Sequence, residues 1–124
     1  MLSIDINCDM GESTHLWPYD IEKDKLLLSY VSSINLACGY HAGDAHTMYA
    51  LAEAAAGTGI AIGAHPGFPD RDNFGRTNML LSPSAIYELV LYQIEARPSR
   101  REARPMRPSP AAQCAVGDYL RIRP

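Results

Sequence analysis

Two histidines, His41 and His65, stand in glycine- and proline-rich loops, each just after a short apolar run. The first lies in Asn35-Leu-Ala-Cys-Gly-Tyr-His-Ala-Gly-Asp44 and the second in Gly63-Ala-His-Pro-Gly-Phe-Pro-Asp70. A third cluster, Asp5-Ile-Asn-Cys-Asp-Met-Gly-Glu12, places Asp5, Asp9 and Glu12 within eight residues. Neutral imidazole binds zinc and other divalent ions, and a carboxylate often completes such a site. A metal so held lowers the pKa of bound water and polarises a carbonyl, which suits hydrolysis of an amide. On this reading the metal takes His41 and His65, with Asp5 or else Asp9 as the carboxylate. A metal-free acid–base or substrate-binding role uses the same groups, because clustered carboxylates push one pKa upward. The histidines lack the tight His-x-x-x-His spacing of a pair on one helix.

The candidate catalytic residues are therefore Asp5, Asp9, His41 and His65. Charge on the inner face of a strand is expensive, which favours a functional role for the two aspartates. Asn7 and Asn35 could orient a substrate amide or carboxylate, and Arg76 could bind a carboxylate. Glu12, Asp44 and Asp70 complete the candidate substrate-binding set. Each has a plainer alternative: Asp9 or Glu12 could cap a turn, Asp44 a helix, and Arg76 could be a solvated surface group. His15 and His46 have weaker claims. Cys8 and Cys38 read as small buried hydrophobes, with nucleophilic catalysis by Cys38 beside His41 as the competing role.

These clusters need a frame. Leu2 to Cys8 alternates apolar and polar residues, the period of a strand. Asp20 is placed to cap a helix using Ile21, Leu27 and Leu28, and Val31 to Cys38 supplies a second strand. Asp44 is the N-cap of a helix with Met48, Leu51, Ala52 and Ala55 on its apolar stripe, ended by Gly57 and Gly59. Ile60 to Ala64 makes a third strand. Ser82-Pro83 opens a third helix whose stripe is Ile86, Leu89, Val90, Gln93 and Ile94. The order βαβαβα calls for a parallel sheet, whose strand ends converge on one rim. Three units are too few for a closed barrel, so the expected class is α/β, the front part of a larger domain.

Composition divides the chain near residue 96. Residues 1–96 carry 4 Lys/Arg against 12 Asp/Glu, whereas residues 97–124 carry 7 Arg against 2 acids and five of the nine prolines. The second segment reads as a disordered Arg/Pro-rich tail: a basic tail for an acidic partner or nucleic acid, a solvated linker, or the product of a frameshift. It has no aromatic interleaving that would mark a nucleic-acid binder. No apolar run approaches the length of a membrane span, and no basic leader precedes one, so a cytoplasmic protein with reduced thiols is expected. No Gly-x-x-x-x-Gly-Lys-Ser/Thr loop is present, so no ATP site of the P-loop kind is expected.

The three clusters, together with Phe74-Gly-Arg76, Leu81-Ser-Pro83 and Tyr92-Gln-Ile94, resemble the signature segments of the LamB/YcsF family over about residues 2–95. That resemblance implies a subunit of an ATP-dependent 5-oxoprolinase. Such a subunit works with two partner subunits to cleave the cyclic amide of 5-oxo-L-proline to L-glutamate. It also implies an irregular (β/α) barrel of the sugar and polysaccharide deacetylase type, and it supports Asp5, Asp9, His41 and His65 at the site. Nothing in residues 97–124 resembles the further Lys-Pro-His-Gly-Ala segment of the family, so this chain alone is expected to be inactive. Two alternatives stand beside this one: a metal-dependent deacetylase of N-acetylated sugars, and a non-catalytic remnant or binding subunit.

Overall fold

The computed structural model describes residues 4–18 and 20–95. Leu2 and Ser3 of the expected first strand, the domain boundary at residue 96 and the Arg/Pro-rich tail lie outside them. The chain runs β1 (Asn7–Met10), α1 (Ile21–Leu27), a 3-10 turn (Leu28–Tyr30), β2 (Ser33–Ala37), α2 (Ala45–Ala55), β3 (Ala61–His65) and α3 (Pro83–Glu95). All three strands are parallel, in the order β1-β2-β3. The expected α/β class and element order are borne out.

Local signals account for the starts of the helices. The Asp20 carboxylate accepts from the Glu22 N–H at 3.0 Å, and the Asp44 carboxylate from the Thr47 N–H at 2.8 Å, satisfying donors that a helix leaves free. Ser82 accepts from the Ala85 N–H at 3.2 Å, with Pro83 as the first helical residue.

The strands divide their residues between two faces, because successive side chains point to opposite sides. One face carries Cys8, Met10, Ile34, Leu36, Cys38, Ile62 and Ala64, which pack with Leu28, Met48, Leu51 and Ala55 from the helical side into the core. The other carries Asn7 and Asp9, paired in register with Ser33 and Asn35, while Asn35 pairs with Gly63 and Ala37 with His65. A hydrogen-bond ladder runs along this polar face. The Asn7 amide donates to Ser33 Oγ at 2.8 Å, and the Asn35 amide donates to both Asn7 Oδ1 and Asp9 Oδ1 at 2.9 Å. Asn35 crosses Gly63 so closely that a Cβ there would lie 2.6 Å from Asn35 Oδ1.

Three details depart from the sequence expectations. The first strand begins at Asn7, and Ile4 and Ile6 are 87% and 57% exposed, because no described element covers them. In α1, Leu27 is exposed and Asp24 is buried instead, its carboxylate accepting from the Gly11 N–H at 2.8 Å. In α3 the stripe residues Ile86, Leu89 and Val90 are only half-buried and Ile94 stands 40% exposed, so the fully buried Gln93 amide is the helix's deepest anchor.

Candidate functional site

Each parallel strand delivers one chemical group to the same rim. The chain leaving β1 turns at Gly11 and presents Glu12. The loop after β2 carries His41, and His65 is the last residue of β3. Glu12 Oε1 lies 3.2 Å from His65 Nδ1 and 3.8 Å from His41 Nε2. Asp9 Oδ1 lies 3.9 Å from the same His65 nitrogen. The two imidazole rings are 4.7 Å apart between centroids.

His41 is 2% exposed, and the edge-on ring of Phe74 lies 5.0 Å from it between centroids. Gly67 fits against its other side, where any Cβ would collide with the imidazole, so this position tolerates no side chain. Two polar side chains brace these loops: Arg71, to which the sequence reading gave no role, and Gln93, which it placed only on the inner stripe of the third helix. The guanidinium of Arg71, in the loop after β3, donates to Gly39 O and Gly43 O at 2.8 Å and to Ser13 O at 3.4 Å, tying the three loops together. The Gln93 amide accepts from the Gly67 N–H at 2.9 Å and donates to the Gly67 carbonyl at 3.0 Å. Such long-range contacts leave no periodic signal in a sequence. Only the frequency of Arg as a multidentate donor hinted at Arg71.

Electrostatics follow from this packing. Burial alone would raise the Glu12 carboxyl, but the facing His41 and His65 outweigh it and hold the pKa at about 2. Burial disfavours the His65 imidazolium, yet Glu12 and Asp9 overcome it and raise the pKa, with Arg76 opposing. Burial also raises the Cys38 thiol, whose Sγ donates to Leu36 O at 3.3 Å within the core. That environment fits an inert buried thiol better than a nucleophile.

The expected residues therefore separate. Asp9, Glu12, His41 and His65 come together, with Asn35 bound to Asp9. Arg76 lies over the Phe74 ring at 5.8 Å and within electrostatic reach of His65. Asn7 sits one step back along the polar ladder. Asp5 does not reach the site: Ser33 Oγ donates to both its carboxylate oxygens at 3.0 Å, at the opposite end of the strands. At about 3.3 Å per residue, four positions put it roughly 13 Å behind Asp9. Asp5 therefore does not stand with His41 and His65 as expected, and Glu12 is the carboxylate that faces both. Asp44 is spent on the α2 cap, and Asp70 accepts from Asn73 and Thr77 within its own loop. His46 is exposed, and His15 pairs with Asp72 at the surface at 3.2 Å.

Comparison with known proteins gives this arrangement a context. The chain is 52% identical over 96 residues to a 5-oxoprolinase subunit of Brevibacillus brevis, and 54% identical to the protein of the same name from Bacillus thuringiensis subsp. konkukian. Each alignment covers 77% of this chain but 37% of the relative, so the chain spans little more than a third of their length. The crystal structure of a lactam utilization protein from Thermus thermophilus superposes with a TM-score of 0.64 at 45% identity, covering 77% of this chain and 38% of that one. Among the described residues no helix is long and apolar enough to cross a membrane. The model of the LamB/YcsF family matches residues 4–106, and the chain belongs to that family.

Proposed function

We propose that residues 4–95 are the site-bearing part of a subunit that hydrolyses a cyclic amide, with 5-oxo-L-proline as substrate and L-glutamate as product. The observation that carries this reading is the convergence of Asp9, Glu12, His41 and His65 on the rim of the parallel sheet. Relatives named as 5-oxoprolinase subunits support the substrate. Water attacks the lactam carbonyl and the ring nitrogen leaves protonated, so the site must accept one proton and deliver another. The closely spaced carboxylates and imidazoles can do both. Arg76, exposed beside Phe74 and within electrostatic reach of His65, could hold the substrate carboxylate.

A five-membered lactam is a resonance-stabilised amide, which favours coupling to ATP. On this proposal the coupling falls to two partner subunits in a cytoplasmic complex. The three βα units would then form part of an irregular (β/α) barrel of the deacetylase-like type, with the polar sheet face turned inward. This chain by itself would be inactive.

A chimera tests the proposal. Residues 4–95 replace the matching segment of the Brevibacillus brevis relative, and glutamate formation from 5-oxo-L-proline is measured with ATP and both partner subunits. Activity is expected, and His41→Ala or Asp9→Asn should each remove it. A folded chimera without turnover, or one that instead deacetylates an N-acetylated sugar without ATP, would sink the assignment.

A further inference from the structure

We propose that Glu12 Oε1, His41 Nε2 and His65 Nδ1 form a three-ligand site for a divalent cation of the zinc class. The three donor residues offer ligand atoms within 4.8 Å of one another. Two ligands on a tetrahedral zinc, each bonded at about 2.0–2.1 Å, stand roughly 3.3 Å apart. The 3.2 Å and 3.8 Å separations from Glu12 Oε1 to the two imidazoles bracket that value. A small closing movement would bind an ion without refolding the loops.

A second, independent observation points to a ligand here. Both ring nitrogens of His41 are buried without a hydrogen-bond partner, and Nδ1 of His65 faces Glu12 Oε1 at 3.2 Å without forming a hydrogen bond to it. Buried polar atoms are normally paired, and leaving one unpaired is destabilising. Packing by Phe74 and the bare face of Gly67 nevertheless hold the His41 ring in place. A cation would satisfy the nitrogens that face Glu12.

Three protein ligands leave a tetrahedral ion one open position, the arrangement of a catalytic rather than a closed structural site. Asp9 lies beside that cluster, oriented by the Asn35 amide, where it could accept a proton from a water in the open position. Binding stands on this geometry alone. Only its use, polarising a lactam carbonyl, rests on the functional reading above.

The test is titration of the 124-residue chain with Co2+ alone, followed by visible absorption and by calorimetry. One Co2+ per chain with a tetrahedral d–d band is expected. Glu12→Gln, which keeps the side chain's volume, should weaken binding by more than the roughly 10- to 100-fold typical of a lost supporting partner. Its far-UV dichroism should stay unchanged, and Asp5→Asn should bind as the parent does. No saturable band, or a band that survives both Glu12→Gln and His65→Gln, overturns the site. The two proposals fail separately. A metal-binding chain whose chimera lacks lactam turnover keeps the site and loses the function. A chimera that turns over after chelation, with no metal retained, keeps the function and removes the catalytic use of the ion, while the Co2+ titration alone decides the site.

Discussion

The two faces of the sheet are built from alternate residues of the same strands, yet they are held by different forces. On one face Cys8, Ile34, Leu36 and Ile62 pack beneath the helices, where the loss of apolar surface to water does the stabilising. On the other, Asn7, Asp9, Ser33 and Asn35 are joined by directional hydrogen bonds of 2.8–2.9 Å. Hydrogen bonds of this kind contribute little net stability, but they fix where each atom points. The apolar face therefore keeps the chain folded, and the polar face sets the aim of the carboxylate beside the histidines.

That division can be broken from either side. The largest effect is expected for Leu51→Ala, which empties a fully buried position under the sheet. It should cost about 2–5 kcal/mol in urea unfolding while the folded fraction keeps its Co2+ affinity. If affinity collapsed with stability, the two faces would not be separable. Arg71→Ala comes next, removing the donor shared by the three loops at a cost of about 1.5–3 kcal/mol. Arg71→Lys should recover only part, because an ammonium cannot span three carbonyls as a planar guanidinium does. Full recovery would reduce Arg71 to a simple point charge. Gln93→Leu should cost about 1–3 kcal/mol and, unlike Leu51→Ala, should also broaden the His41 and His65 ring resonances.

The smallest effect lies at the start of α2. Asp44→Ala should cost about 0.5–2 kcal/mol through the lost α2 cap. The Thr47 N–H holds the Asp44 carboxyl below its ordinary 3.8. The charged-cap contribution is therefore complete above that value and fades as pH falls through the lower folded one. Asp44 is exposed, so the pH-linked part is small. A parent and an Asp44→Ala chain with parallel acid-unfolding curves would remove the linkage.

Much of this could be read from residue order. The βαβαβα succession, the caps at Asp20, Asp44 and Ser82, and the placing of His41 and His65 after their strands all follow from local rules of spacing and capping. The choice of carboxylate did not. Alternation puts Asp5, Asn7 and Asp9 on one face, but it is blind to which end of the strand meets the histidines. That is decided by Glu12, and the turn carrying it is held by a buried Asp24 from a different helix. The bonds of Arg71 and Gln93 were hidden for a similar reason, although the burial of Gln93 was legible in the stripe. Their partners are backbone atoms 26 to 58 residues away, and a carbonyl carries no side-chain signature.

The way α3 is moored has a kinetic consequence. A helix docked by broad apolar contact opens only with the core beneath it, whereas one fastened mainly at Gln93 can detach alone. Its amides should exchange with solvent ahead of those of β2. Each excursion would release the Gly67 backbone and loosen the wall against His41. The rim would then breathe on the timescale of one helix letting go, well before the molecule as a whole unfolds.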